Sequence, residues 1–157
     1  MKNLGERKIG KLKAGDNFDF KSNVETIKQL FGITVNKNRH GGYKLKEGKW
    51  AAFIYIVNQS PDGNWMIPEP RPNWINKFSR DCAKWIRECE KLSFGKMFRS
   101  PTDEYAVFVK TGSPCRCIFY GTFKVDDIKK DGMECLYKRL KTEIDPVKWV
   151  LQSLCSN

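Results

Sequence analysis

Histidine is nearly absent from this 157-residue chain, with His40 the single copy. A Cys–His or Ser–His nucleophile pair would have to use that imidazole. It sits in Arg39-His40-Gly41-Gly42, with no nucleophile elbow beside any Ser or Cys. A loop histidine, or one touching a phosphate, is the better reading. An HNH nuclease fails for the same want of histidines. There is no Cys-x-x-Cys pair among the six cysteines, so a zinc ribbon or a Cys₂His₂ site lacks its thiolates. No run reaches the ~18 apolar residues of a membrane span. The start, MKNLGERKIGKLK, has charges but no apolar core of a secretory signal. Neither G-x-G-x-x-G nor G-x-x-x-x-G-K-[ST] occurs. Internal repeats and low-complexity tracts are also missing.

Acids are scarce relative to bases. Lys and Arg number 29 against 18 Asp and Glu, a formal net charge of +11 and an isoelectric point near 9.4. Such a balance favours a polyanionic partner. The bases cluster. Residues 1–14 read as a basic N-terminal arm and 15–157 as one domain. A second cluster, Lys37, Arg39, Lys44, Lys46 and Lys49, is interleaved with glycines, whose backbone can approach phosphates closely. The cysteines, Cys82, Cys89, Cys115, Cys117, Cys135 and Cys155, read as reduced thiols of a cytoplasmic protein.

The apolar pattern is mixed α and β. Asn17–Phe20 is a short strand candidate. Ser22-Asn23-Val24-Glu25 is a capping-box pattern opening a helix through Phe31, which Gly32 stops. Ile33–Val35 is another brief strand candidate. Residues 36–48 form a loop or an open hairpin. Ala51–Val57 has no polar alternation and reads as a strand covered on both faces. Residues 58–73, with four prolines, form a long loop. Trp74, Phe78, Cys82, Trp85 and Cys89 recur every three or four positions and predict a helix over 74–91. Cys82 and Cys89 would then lie about 10 Å apart along its axis, too far to pair. Glu104–Lys110, Arg116–Val125 and Met133–Leu140 read as an antiparallel meander, with Gly121 marking a bulge or the close approach of another backbone. Asp145-Pro146 caps and opens a final helix.

Chemistry-bearing residues favour a binding module over an enzyme. A metal-dependent nuclease needs two acids and a lysine converging on one metal and water. Glu104, Asp126, Asp127 and Lys110 are the residues that would have to do so. Neither a cofactor nor a metal site is expected. Cations alternating with aromatics suit a surface that neutralises phosphates and stacks on bases. The phosphate candidates are Arg39, His40, Gly41, Gly42, Lys44 and Lys46. The stacking candidates are Tyr43, Trp65 and Tyr120, while Trp74 and Trp85 are assigned to the core. Phe119 and Tyr120 are adjacent on a strand, so their rings must point to opposite faces.

Five short stretches carry a family resemblance. They are Leu30-Phe31-Gly32, His40-Gly41-Gly42-Tyr43-Lys44, Phe53-Ile54-Tyr55-Ile56-Val57-Asn58, Val107-Phe108-Val109 and Phe119-Tyr120-Gly121-Thr122-Phe123. In that order, over residues 15–140, they resemble the PUA-like, SRA-like DNA-recognition domains found beside HNH nuclease domains in modification-dependent restriction enzymes. The resemblance implies an α+β fold, a curved, mixed, PUA-like β-barrel flanked by helices, spanning residues 15–157. It implies duplex DNA as partner, a modified base flipped into an aromatic pocket, and a separate nuclease domain or subunit. An RNA-binding module of the same architecture and a small metal-dependent nuclease are the alternatives.

Overall fold

The computed structural model describes residues 10–36, 42–56, 58–59, 65–67, 74–89, 100–111 and 116–152. Its strands in chain order are β1 (Leu12–Lys13), β2 (Asn17–Phe18), β3 (Gly42–Lys46), β4 (Lys49–Ile56), β5 (Asn58–Gln59), β6 (Trp65–Ile67), β7 (Trp74–Ser79), β8 (Lys84–Cys89), β9 (Glu104–Thr111), β10 (Arg116–Lys129), β11 (Glu134–Lys141) and β12 (Glu143–Ile144). Helix α1 spans Asn23–Phe31 and α2 spans Pro146–Leu151. No helix among the described residues is long and apolar enough to cross a membrane.

Both helices start and stop where local chemistry requires. The Ser22 Oγ accepts the Glu25 N–H at 3.1 Å, and Gly32 ends α1 at φ 72°, a left-handed position that costs glycine little. Asp145 Oδ1 accepts the Lys148 N–H at 3.2 Å, ahead of Pro146 in the first turn of α2. Residues 32–36, read from sequence as holding a brief strand, carry no regular structure.

The main sheet runs in the order β3-β4-β9-β10-β11-β8-β7-β6-β5, with β2 added to β10. All its pairs are antiparallel except β4–β9, which is parallel. Among the described residues the two ends of this path do not pair, so the expected barrel is not closed. The sheet is nevertheless curled. Phe78 on β7 and Tyr120 on β10 are separated by β8 and β11, about 14 Å of flat sheet at ~4.8 Å per strand. Their rings meet at 5.1 Å.

Each face has its own core. The outer face holds Tyr43, Ala51, Phe53, Ala106, Phe108 and Phe119 under α1, α2 and β1. The inner, concave face holds Ala52, Ile54, Phe78, Trp85, Tyr105, Val107, Tyr120, Phe123 and Tyr137. β4 therefore feeds both cores, as its unbroken apolar run predicts. Leu12, within the basic N-terminal stretch, is fully buried on β1.

Two further expectations are corrected. The 74–91 helix is instead the antiparallel hairpin β7–β8, with Trp74 opposite Cys89 and Phe78 opposite Trp85. Cys82 lies in its turn, so the helical spacing between Cys82 and Cys89 does not exist. That turn has no Gly or Pro. Asp81 Oδ1 accepts from Ser79 Oγ at 2.6 Å and from the Ala83 N–H at 3.0 Å, and Ser79 Oγ accepts the Lys84 N–H at 2.9 Å. Cys82 takes φ 62° to close it. Second, the 58–73 loop contributes the short strands β5 and β6 to the far edge of the sheet. The meander, the final helix and the Gly121 bulge match the sequence reading, with β10 extended to Lys129.

Candidate nucleic-acid interface

The glycine-rich basic stretch leads into edge strand β3. Arg39, His40 and Gly41 lie outside the described residues. Gly42 opens β3 and is buried, while Lys44 and Lys46 are exposed along it. Lys44 Nζ forms an ion pair with Glu47 in the β3–β4 turn. Alternation along β3 sends the Tyr43 side chain to the face opposite Lys44.

Tyr43 is a strand residue, not a loop residue, and its ring is only 5% exposed. It packs edge-on against Phe53, centroids 5.6 Å apart. Asn23, the first residue of α1, binds two elements at this end of the sheet. Its Nδ2 donates to Tyr43 Oη at 3.5 Å, and its Oδ1 accepts from Lys110 Nζ at 2.8 Å. The start of β3, the N-terminus of α1 and the end of β9 thus meet. Sequence reasoning missed Asn23 and Lys110 here, because they lie 87 positions apart and only the fold joins them.

Tyr120 occupies the opposite face. Between Phe119 and Gly121 the β10 chain advances two residues while β9 advances one, from Phe108 to Val107. Tyr120 is the extra residue of this bulge. The shift exchanges the faces, so Phe119 lies in the outer core and Phe123 in the inner one. Bulges re-aim side chains in this way. Tyr120 is 7% exposed, and Arg139 Nη1 donates to its carbonyl oxygen at 3.2 Å. Burial, then the neighbouring Cys82, pushes its phenol well above the ordinary tyrosine range. Burial likewise pushes the Cys82 thiol up, against a hydrogen bond from Tyr120 that favours the thiolate. Phe119 and Tyr120 do point to opposite faces, yet both rings are buried. Tyr43 and Tyr120 are not brought together. The backbone of Trp65 opens β6. Trp85 belongs to the inner core, stacked on Tyr137 at 4.0 Å with its Nε1 donating to Asn76 Oδ1 at 2.9 Å.

The acids proposed for a nuclease are dispersed. Glu104 Oε1 accepts from Lys49 Nζ at 2.8 Å, and its Oε2 accepts from Trp149 Nε1 at 3.1 Å. Lys49 is 1% exposed and lies 4.6 Å from the Trp149 ring centroid. Burial raises the Glu104 carboxyl, but the hydrogen bonds from Lys49 and Trp149 outweigh it and leave the group below the usual carboxylate value. This triad fastens α2 to the sheet. Lys110 stands six residues away at the other end of β9, about 20 Å along the strand, and Asp126 lies 3.7 Å from Lys138. Among the described residues no group of three His, Cys, Asp or Glu side chains could hold a metal ion.

No family model matches the chain, and no curated protein matches it. Among solved structures it is similar to the 5-hydroxymethylcytosine-specific restriction enzyme AbaSI, with a TM-score of 0.60 and 17% sequence identity. The match covers 86% of this chain and 42% of that one, so this chain spans less than half the length of the structure it matches. A likeness at this identity is one of fold: a mostly β, α+β architecture with two helices, shared with part of a restriction enzyme.

Proposed function

We propose that this chain is a non-catalytic, duplex DNA-binding domain of the SRA-like kind that reads a modified base, within or beside a nuclease. The observation that carries this is the meeting of a basic, glycine-bearing edge strand with the Asn23–Lys110 end of the sheet. The chain has a net charge of +11. The fold is shared with part of a restriction enzyme specific for 5-hydroxymethylcytosine. Gly41 gives the flanking loop its close approach to the phosphates, and Arg39, His40, Lys44 and Lys46 neutralise them, while Gly42, buried at the start of β3, anchors that loop. A base extruded from the stack costs a few kcal/mol, which stacking and edge hydrogen bonds recover. Trp65 is the stacking candidate. Tyr43 and Tyr120, buried on opposite faces of the sheet, hold β3 and the β10 bulge in place.

The test is a binding panel of unmodified, cytosine-modified and adenine-modified duplexes at one ionic strength, with single-stranded RNA as competitor. Preference for one modified duplex, undiminished by RNA, is the expected result. Equal binding to all duplexes refutes the modified-base reading. Stronger binding to RNA transfers the domain to the RNA-binding alternative. Plasmid cleavage with Mg²⁺ or Mn²⁺ would replace the binding module with a nuclease. Arg39→Ala with Lys44→Ala should flatten the salt slope by about one to two units.

A further inference from the structure

One line of cross-strand neighbours runs through six strands. Lys46 of β3 faces Lys49 of β4, which faces Glu104 of β9. Glu104 faces Lys124 of β10, which faces Lys138 of β11, which faces Lys84 of β8. Residues directly opposite share a face of the sheet. Trp85, Phe123 and Tyr137 point into the concave core, so Lys84, Lys124 and Lys138 point outward.

The acid in this line is already committed, since Lys49 and Trp149 hold both Glu104 oxygens. The outer three lysines therefore stand side by side on adjacent strands. Lys138 has Asp126 at 3.7 Å, and Asp126 is itself half exposed. Lys84 and Lys124 ion-pair with no carboxylate among the described residues. Like charges placed directly opposite disfavour the sheet. A folded protein gains nothing internal from this arrangement, so a polyanion outside it is the natural complement.

We infer that Lys124, Lys138 and Lys84 form a second phosphate-contacting surface, which grips the backbone of duplex DNA along the line of cross-strand neighbours that Lys46 begins. This rests on the DNA-binding reading above. Three strands at ~4.8 Å spacing give a row about 10 Å long, and one DNA strand presents a phosphate every ~3.4 Å of axis, about three along that length. The row lies at the Glu104 end of β9, about 20 Å from Lys110. The domain thus carries cations at both ends of its sheet, and the outer row recognises backbone without reading sequence.

The test compares K84Q/K124Q/K138Q with a control of equal charge loss, K11Q/K28Q/K148Q, at three exposed lysines elsewhere. Affinity for a short duplex, unmodified or carrying one 5-hydroxymethylcytosine, is measured between 50 and 200 mM salt. The row variant should lose two to three units of salt slope, about a 40-fold difference in salt sensitivity over that range. Its ratio of modified to unmodified binding should stay unchanged, its melting temperature should not fall, and the control should change the slope by less than one unit. A row variant with wild-type slope overturns the inference and leaves the DNA-binding reading standing. So does a control that loses as much as the row. Loss of phosphatidylserine vesicle binding with duplex binding intact assigns the row to a membrane surface and overturns it too. Failure of the wild type to bind any duplex removes both readings.

Discussion

Replacing Gly121 with alanine should be among the most damaging single-methyl changes available in this chain. Gly121 has φ +116°, and a Cβ there would lie 2.5 Å from the Lys141 carbonyl oxygen and 2.6 Å from Arg139 Cδ. Arg139 can swing aside. The Lys141 oxygen belongs to the backbone of β11, and moving it means parting β10 from β11. A non-glycine residue held in such a conformation costs about 1–3 kcal/mol by itself. With the backbone contact added, a loss of about 3–4 kcal/mol follows. Unfolding entropy of ~2.1 cal/mol/K per residue over 157 residues amounts to about 0.33 kcal/mol/K. The expected fall in melting temperature is therefore about 10 °C, read by circular dichroism. Urea unfolding should show a lower midpoint at an unchanged slope. A fall under about 3 °C would mean that the bulge accommodates a side chain, and the account of how Phe123 changes face would fail.

Three further outcomes follow from the same geometry. Thr122 is fully buried, and its hydroxyl finds no partner among the described residues, so Thr122→Val should be neutral or stabilising by up to about 1 kcal/mol; a loss beyond that in urea unfolding reveals a partner. Because Glu104 sits below its unfolded value of 4.5, its contribution is complete above that pH and is lost as pH falls through the folded value. Glu104→Gln should thus be less stable than wild type at pH 7, with a gap that narrows as pH falls below 4.5, and a gap that stays constant through acid unfolding contradicts the assignment. Phe108→Ala removes a ring stacked on Phe53 at 5.0 Å and touching Phe31 and Phe119. It should cost about 3–5 kcal/mol, and a melting temperature within a few degrees of wild type would place this ring outside the core.

What the sequence disclosed depended on how local the determinant was. The α1 caps, the Asp145-Pro146 start, the meander and the Gly121 bulge each rest on a few neighbouring residues, and each appears in the structure. The 74–91 hairpin did not read correctly because Trp74, Phe78, Trp85 and Cys89 satisfy a helical period by accident of two strands meeting. Its turn is closed by Ser79 and Asp81 side chains and by a left-handed Cys82, without the Gly or Pro that usually marks such a place. Lys44 and Lys46 were legible as exposed cations on a glycine-bearing stretch. Tyr43 and Tyr120 looked equally available, since composition cannot say which ring is covered. The Asn23–Lys110 contact and the lysine row are set by strand order and register, which no single segment encodes.

The parallel pairing of β4 with β9 constrains the route by which the chain reaches this shape. The chain leaves β4, forms β5 to β8 on the opposite limb of the sheet, and returns to lie beside the strand it left. Contacts between sequence-distant partners carry a loop-closure cost that slows folding. The β9–β10–β11 meander can assemble from adjacent hairpins, whereas β4 and β8 must dock later on its two free edges. On the ribosome, β4 would emerge with β3 available on one edge and its other edge unmatched, an apolar strand waiting for a template roughly fifty residues behind it.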